Sequence, residues 1–218
     1  MPAHERLRYY ADRFEMVEIN STFYAIPSER QVAQWAVATP LDFVFNVKLH
    51  KILSRHSCTA RMLPPDLRGA RGDLDRKIAL TPKLEREVAE RFISAMRPFS
   101  DSGKLGAFLL QLSPSFSPRQ NALDELESLL GLFSSESVAV ELRNRGWLVS
   151  PQLAATRDFF SRRAVTLVSV DAPHSEHFTV MPSLDEITNP AMSYLRLHGR
   201  DEKAYTTGRT VAERFDYD

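Results

Sequence analysis

Strands and helices alternate about six times along this chain of 218 residues, which predicts an α/β fold built on a parallel sheet. In each predicted strand the polar residues share one parity and lie near the carboxyl end. A flat doubly wound sheet has polar strand ends mainly at its crossover point, whereas a barrel has them on every strand. The sequence therefore predicts a TIM-type (β/α) barrel. Because such a barrel has eight strands and about six are recognisable, we expect it to be incomplete.

Composition limits the classes of protein to be considered. Hydrophobic residues make up 43% of the chain, which suits a single domain over residues 1–218, with two domains as the weaker alternative. The 28 basic residues balance 28 acidic ones, which counts against broad binding of nucleic acid or of an anionic membrane. The single cysteine excludes an intramolecular disulfide, and no apolar run approaches the about 20 residues of a membrane span. We expect a cytoplasmic protein with no membrane contact.

The first half of the chain contains four periodic segments, which predict a helix at 4–13, a strand at 14–20, a helix at 28–36 and a strand at 43–49. Ser28 is expected to cap the second helix. The two strands end in polar side chains, namely Glu18 and Asn20 on the first and Lys48 on the second. These positions are where a barrel of this type carries its site.

Residues 51–73 have no clear period and contain two prolines and two glycines, so we predict a long mobile loop over the mouth of the barrel. The loop carries His56 and a set of arginines, which are Arg55, Arg61, Arg68, Arg71 and, at its end, Arg76. Two interpretations are equally open, a substrate lid and a solvated surface loop.

The second half continues the alternation. The predicted elements are a helix at 84–96, a strand at 105–112, a helix at 122–132, a strand at 138–143, a helix at 151–161 and strands at 164–170 and 193–198. The tail, residues 201–218, is polar, and no regular structure is predicted for it.

If the strands form a barrel wall, their polar ends meet at one mouth. That set comprises Glu18, Asn20, Lys48, Gln111, Glu141, Arg143, Asp171, Arg196 and His198. Carboxylates and bases in one concave space shift one another's pKa values and supply acid–base pairs. For any single residue a purely structural ion pair is an equally good interpretation. The whole set favours a site, because a barrel interior otherwise prefers branched apolar side chains.

Within this set the residue types suggest roles. The catalytic candidates are Glu18, Lys48, Glu141, Asp171 and His198. His198 is the best candidate for proton transfer, since the ordinary histidine pKa of about 6.5 lies near working pH. Lys48 would be a Schiff-base nucleophile if desolvated, although an ion pair is the commoner role.

Further side chains are candidates for substrate binding, namely Asn20, Tyr24, His56, Gln111, Arg143, Trp147, Arg196 and Arg200. Arginines bind phosphate or carboxylate, so Arg143, Arg196 and Arg200 suit an anionic substrate group. Tyr24 and Trp147 would stack on a ring or pack against the rim, and packing is favoured. No motif specifies a metal or a cofactor, because the chain lacks HExxH, GxGxxG and GxxxxGK[ST] patterns.

Six stretches together resemble one known family. They are VEINSTFYAIP (17–27), FVFNVKL (43–49) with His56 downstream, LLQLSPSF (109–116), VAVELRNRGWL (138–148), VDAP (170–173) and YLRLHGR (194–200). In this combination the chain resembles the YecE-like family, also known as domain of unknown function seventy-two. The resemblance implies a TIM-type barrel. It also implies recurrent polar residues at the positions already named and at His56 and Arg200.

The resemblance implies a longer protein and no particular reaction. Members have a strand before the first residue matched here and a helix and strand after the last, so we expect this chain to lack both. Three functions remain open. The first is an enzyme that acts on a small polar or anionic substrate by acid–base chemistry, of hydrolase or isomerase type. The second is a non-catalytic ligand-binding protein, and the third is a nucleic-acid processing protein, against which the neutral net charge counts.

Overall fold

The computed structural model describes residues 3–68 and 73–207, which divide into two compact units. The first unit comprises Met1–Leu110 with Ser128–Ser137, and the second comprises Gln111–Glu127 with Val138–Asp218. Arg71 of the predicted loop and residues 208–218 of the predicted tail lie outside the described residues. No described helix combines the length and the apolar character that crossing a membrane requires.

The first unit is built on three neighbouring parallel strands. Its strands are β1 (Met16–Ile19), β2 (Val44–Lys48), β3 (Cys58–Thr59), β4 (Lys77–Ile78) and β5 (Leu105–Gln111, whose last residue belongs to the second unit). Strand β2 pairs in parallel with β1 on one side and with β5 on the other. The alternation predicted for 43–49 is confirmed, because Phe43, Phe45, Val47 and Leu49 are all buried.

Helices cover this sheet. They are α1 (Ala3–Ala11), α2 (Glu29–Val37), α3 (Pro82–Asp101) and α4 (Glu127–Leu132, whose first residue belongs to the second unit). As predicted, Ser28 caps α2, since its hydroxyl accepts a hydrogen bond from the amide of Gln31. Helix α3 continues five residues beyond the predicted end at 96, because the buried Phe99 stacks on Phe45 with ring centroids 4.1 Å apart.

The buried side chain of Lys104 lies at the carboxyl end of α2. The side chain of Lys104 is almost fully buried, and its ammonium group donates hydrogen bonds to the carbonyls of Ala36 at 2.6 Å and Thr39 at 2.9 Å. A third bond reaches the Thr39 hydroxyl at 3.1 Å. Ala36 lies in the last turn of α2 and Thr39 just beyond it. Carbonyls at a helix end lack the intrahelical partners of the interior, so the cation both bonds them and complements the helix dipole.

Residues 51–68 of the predicted mobile loop contain more regular structure than predicted. Strands β3 and β4 form an antiparallel pair, and 3-10 turns at Ala60–Met62 and Pro65–Leu67 continue the segment. Strand β3 pairs with β4 at residues 77–78, which lie beyond the predicted loop. The sequence of the loop alone therefore showed no strand period. Two of its arginines are held in ion pairs, Arg55 with Glu85 at 2.5 Å and Arg61 with Asp75 at 3.1 Å.

The second unit contains two parallel strand pairs. Its elements are β6 (Val138–Glu141), α5 (Gln152–Ser161), β7 (Thr166–Leu167), β8 (Ser169–Asp171), β9 (Leu195–Leu197) and α6 (Glu202–Thr207). Strand β6 pairs with β7, and β8 pairs with β9, in both cases in parallel. The single strand predicted at 164–170 is therefore two strands. The break falls at Val168, whose amide bonds to Val140 while that of Ser169 bonds to Tyr194.

Parallel pairing and helices between strands make this a mixed α/β fold, as predicted. These pairings do not close a ring of strands within residues 3–68 and 73–207.

The prediction that residues 201–218 have no regular structure was wrong in one respect, since residues 202–207 form α6. Asp201 caps this helix by accepting a hydrogen bond from the amide of Ala204 at 2.8 Å.

Candidate functional site

The site of the second unit is organised around Glu141, the last residue of β6. Its side chain is fully buried. The parity of β6 alternates Val138 and Val140 with Ala139 and Glu141, so the carboxylate lies on the opposite face from the valines. An ionised carboxylate is tolerated at such depth only where charged and hydrogen-bonding partners surround it.

Four side chains from three segments supply those partners. The Gln111 amide donates to both carboxylate oxygens at 3.0 Å, and Arg196 Nη1 donates to Oε2 at 2.5 Å. Arg143 Nη1 lies 3.5 Å from Oε1, and His198 Nε2 lies 3.7 Å from the same oxygen. The structure thus brings together five residues that the strand-end argument had placed at one mouth. They are Gln111, Glu141, Arg143, Arg196 and His198.

Charge fixes the protonation state of Glu141. Burial alone would raise the pKa of this carboxyl, but Arg196, Arg143, His198 and the Gln111 hydrogen bonds outweigh burial and lower the pKa below its ordinary value. A carboxyl with a lowered pKa stays ionised at neutral pH and is a poor general acid. The carboxylate contacts two guanidinium groups, those of Arg143 and Arg196, and its catalytic assignment from sequence stays a prediction.

Arg143 presents one edge of its guanidinium away from Glu141. Nη1 faces the carboxylate, whereas Nη2 donates to the Tyr205 hydroxyl at 3.2 Å. Nε is buried and has no hydrogen-bond partner among the described residues. The Nε and Nη2 groups form the edge that binds carboxylate or phosphate through two parallel hydrogen bonds. A buried donor without a partner costs about 1–3 kcal/mol, so this edge is suited to an added acceptor.

Tyr205 of α6 was missed by the sequence analysis. Its hydroxyl accepts from Arg143 and donates to the Thr179 carbonyl at 3.1 Å, and its ring lies nearly parallel to that of His198 at 6.4 Å. Burial raises the pKa of this phenol, so it keeps its proton at neutral pH. The available signal was Asp201 followed by Glu202, a cap and an acidic first turn that together predict the start of a helix.

His198 adjoins the same group. It is buried, and its Nε2 lies 3.2 Å from Arg196 Nη1. The same ring nitrogen lies 3.7 Å from Glu141 Oε1, so it adjoins both a guanidinium and a carboxylate. The amide of His198 also donates to the Asp171 carbonyl at 2.8 Å, which fixes the backbone next to the ring.

Asp171 and Arg200 form a second ion pair of this unit. Arg200 Nε donates to both carboxylate oxygens of Asp171, at 3.2 and 3.3 Å. The pair lines a cleft of about 1000 Å³ together with residues of the 172–183 segment. The Asp171 carboxylate is therefore bound by Arg200, whereas the sequence had grouped it with Glu141 and His198.

The remaining predicted residues belong to the first unit. Lys48 Nζ lies 4.4 Å from the centre of the Phe23 ring, and His56 meets the same ring edge-on at 5.1 Å. Glu18 is half-buried and Asn20 is exposed. Tyr24 is 61% exposed and borders a cleft of about 450 Å³ next to Arg61 and Arg68.

Trp147 packs against the protein interior, which the sequence favoured over stacking on a ligand ring. It is buried, stacks on Phe116 with ring centroids 5.4 Å apart, and donates its indole N–H to the Phe116 carbonyl at 2.8 Å. Within residues 3–68 and 73–207 no three side chains of the metal-ligating types are grouped so that they could hold an ion.

Comparison with known proteins places the chain among relatives whose names state no activity. It is 25% identical over 205 residues to the UPF0759 protein YunF of Bacillus subtilis (strain 168), covering 93% of this chain and 65% of that protein. The chain therefore spans somewhat less than two thirds of the relative's length.

Solved structures agree with the fold. One crystal structure of a DUF72 family protein from Enterococcus faecalis V583 matches with a TM-score of 0.72 at 26% identity, over 92% of this chain and 72% of that one. A DUF72 family protein from Thermotoga maritima MSB8 matches with a TM-score of 0.69 at 26% identity, over 100% of this chain and 72% of that one. The family described as "Protein of unknown function DUF72" matches residues 1–217, and this chain belongs to that family.

Proposed function

We propose that this chain binds a small molecule that carries a carboxylate or phosphate group, and that the Nε–Nη2 edge of Arg143 receives the anionic group. The observation that carries this proposal is the buried Arg143 Nε, which has no partner among the described residues. Glu141 supports it by fixing the guanidinium from the opposite side. Arg196, held by the same carboxylate, adds a second positive charge nearby.

The proposed reaction is acid–base catalysis on such a substrate, of hydrolase or isomerase type. His198 is the proposed proton-transfer group, because its Nε2 adjoins both Arg196 and Glu141 and its amide is bonded to the Asp171 carbonyl of β8. Glu141 is proposed as a positioning residue. Non-catalytic binding of the same anion is the second candidate, and it is favoured by the fact that Glu141 is held ionised.

The binding test uses inorganic phosphate and acetate as probes of the two anion classes. Amide chemical shifts of the ¹⁵N-labelled chain are followed at constant ionic strength. Arg143→Lys keeps the charge and removes the two-donor edge, so we expect phosphate or acetate affinity to fall at least about tenfold. Arg157→Lys, at an exposed ion pair of the same unit, is the matched control and should leave affinity unchanged. Equal affinity of Arg143→Lys and wild type would contradict the proposal.

Catalysis is tested separately from binding. Phosphorylated and carboxylated metabolites that bind are incubated with wild type and with His198→Asn, and products are followed by mass spectrometry. Turnover that His198→Asn abolishes while binding persists supports an enzyme. Binding without turnover in both proteins supports the non-catalytic alternative.

We also infer that the parallel strands belong to a TIM-type barrel and that the protein is cytoplasmic. Parallel pairing in both units and polar side chains at the ends of β6 and β9 support the first inference. A crystal structure of the Bacillus subtilis relative would test it, because open strand edges throughout would contradict a barrel. The single cysteine, buried at Cys58, supports the second inference, and cell fractionation would test it.

A further inference from the structure

Helix α6 places a protein oxygen on the part of Arg143 that the anion is proposed to use. The Tyr205 hydroxyl lies 3.2 Å from Nη2, which is one of the two nitrogens of the binding edge. The same hydroxyl donates to the Thr179 carbonyl, so it bridges two segments of the second unit. Its ring covers the face of His198 at a distance of 6.4 Å.

We propose that Tyr205 is an internal competitor for the Arg143 anion site and that α6 is an autoinhibitory cover which ligand binding displaces. The inference rests on the proposed anion-binding function. An anion that engages both Nε and Nη2 competes with the Tyr205 oxygen, which lies within hydrogen-bond distance of Nη2. The apparent affinity for an anion is then the intrinsic affinity multiplied by the fraction of molecules in which α6 is open.

The construction of α6 suits a cover that opens at little cost. The helix has six residues, too few to be stable without tertiary contacts. Gly199, between β9 and α6, has φ +82°, a conformation that side chains other than glycine rarely adopt, and it provides a turn about which α6 can swing.

Tyr205→Phe tests the competition, because it removes the hydroxyl and keeps the ring. We expect the dissociation constant for inorganic phosphate to fall about tenfold, since a hydrogen bond to a charged group no longer has to be replaced. Tyr10→Phe, which removes a phenol hydroxyl in the first unit, is the matched control and should leave phosphate affinity unchanged. Thermal denaturation checks that both variants fold.

A second measurement uses the wild-type chain alone. Saturation with phosphate should speed hydrogen exchange at the amides of residues 202–207, because displaced α6 loses its contacts. Slower or unchanged exchange there would overturn the cover. If wild type binds phosphate and Tyr205→Phe binds it no more tightly, the competition is refuted while the anion site stands. If neither protein binds phosphate or acetate, the anion site and the cover both fall.

Discussion

Replacing Glu141 with glutamine tests the reasoning about the buried cluster most directly. The substitution keeps the shape of the side chain and removes its charge. The side chains of Arg196 and Arg143 are 16% and 22% exposed, and that of Glu141 is 0% exposed. The substitution therefore leaves two largely buried guanidinium groups without their buried counter-charge. Gln111 also loses one of its two acceptors, because a glutamine has only one carbonyl oxygen.

The expected loss of stability follows from this geometry. Removing one partner of a buried ion pair costs about 3–5 kcal/mol. Both guanidinium groups keep some access to water, so we take the lower end and expect Glu141→Gln to lower the free energy of unfolding by about 3 kcal/mol. For a chain of this size that corresponds to a fall in Tm of roughly 6–12 °C.

The difference between wild type and Glu141→Gln should also depend on pH in a defined direction. The folded-state pKa of Glu141 lies below its ordinary value, so the folded protein binds fewer protons than the unfolded chain in the acid range. The stabilisation is then complete above the unfolded pKa of about 4.3 and decreases as pH falls toward the folded pKa. We expect a constant difference between about pH 5 and pH 7 and a smaller one at about pH 3.5.

Urea unfolding followed by circular dichroism at several pH values measures this difference. Glu176→Gln is the matched control, since Glu176 also pairs with an arginine, Arg145, but its side chain is 95% exposed. An exposed pair contributes about 0–1 kcal/mol, so the control should be nearly neutral. A loss below about 1 kcal/mol for Glu141→Gln at pH 7, or a difference that grows on acidification, would refute the account of the cluster.

Two predictions concern buried groups of the first unit. Lys104→Met should lower the free energy of unfolding by about 2 kcal/mol or more, because the carbonyls and hydroxyl that its ammonium group bonds lose a charged donor, and thermal denaturation measures it. Lys83, whose side chain is 85% exposed, provides the control, and Lys83→Met should change the free energy of unfolding by less than about 0.5 kcal/mol. An equal loss of stability in Lys104→Met and Lys83→Met would contradict the role of Lys104. Burial lowers the pKa of His50 from 6.5 to about 4, so its contribution is complete above about pH 6.5 and about 2 kcal/mol smaller at pH 5. The imidazole resonances of His50 in the folded protein should therefore stay constant from pH 7 to pH 5, and a midpoint near 6.5 would show that the ring is accessible to protons.

Periodicity within a segment accounts for what could be predicted. The alternation at 43–49 and the cap at Ser28 depend on neighbours within a few residues, and both are confirmed. The convergence of Gln111, Glu141 and Arg196 also followed from sequence, because the ends of parallel strands meet at one edge.

Features that depend on distant partners could not be predicted. The break at Val168 arises because neighbouring residues bond to different strands, and no local pattern encodes that choice. The pairing of Cys58–Thr59 within the predicted loop depends on β4, which lies beyond that loop. The orientation of the Arg143 edge depends on Tyr205, 62 residues away, so the residue type alone indicated an anion but not which nitrogens would meet it.

The two tryptophans of the chain provide each unit with its own fluorophore. Trp35 lies on α2 of the first unit and stacks on Phe99 at 6.5 Å, whereas Trp147 lies in the second unit with its indole N–H bonded to Phe116. Trp147 is buried and Trp35 is half-buried, so each indole becomes more exposed to water when its own surroundings unfold, and its emission would then shift to longer wavelength. A chain with Trp35→Phe and a chain with Trp147→Phe therefore report the melting of one unit each, without any added dye.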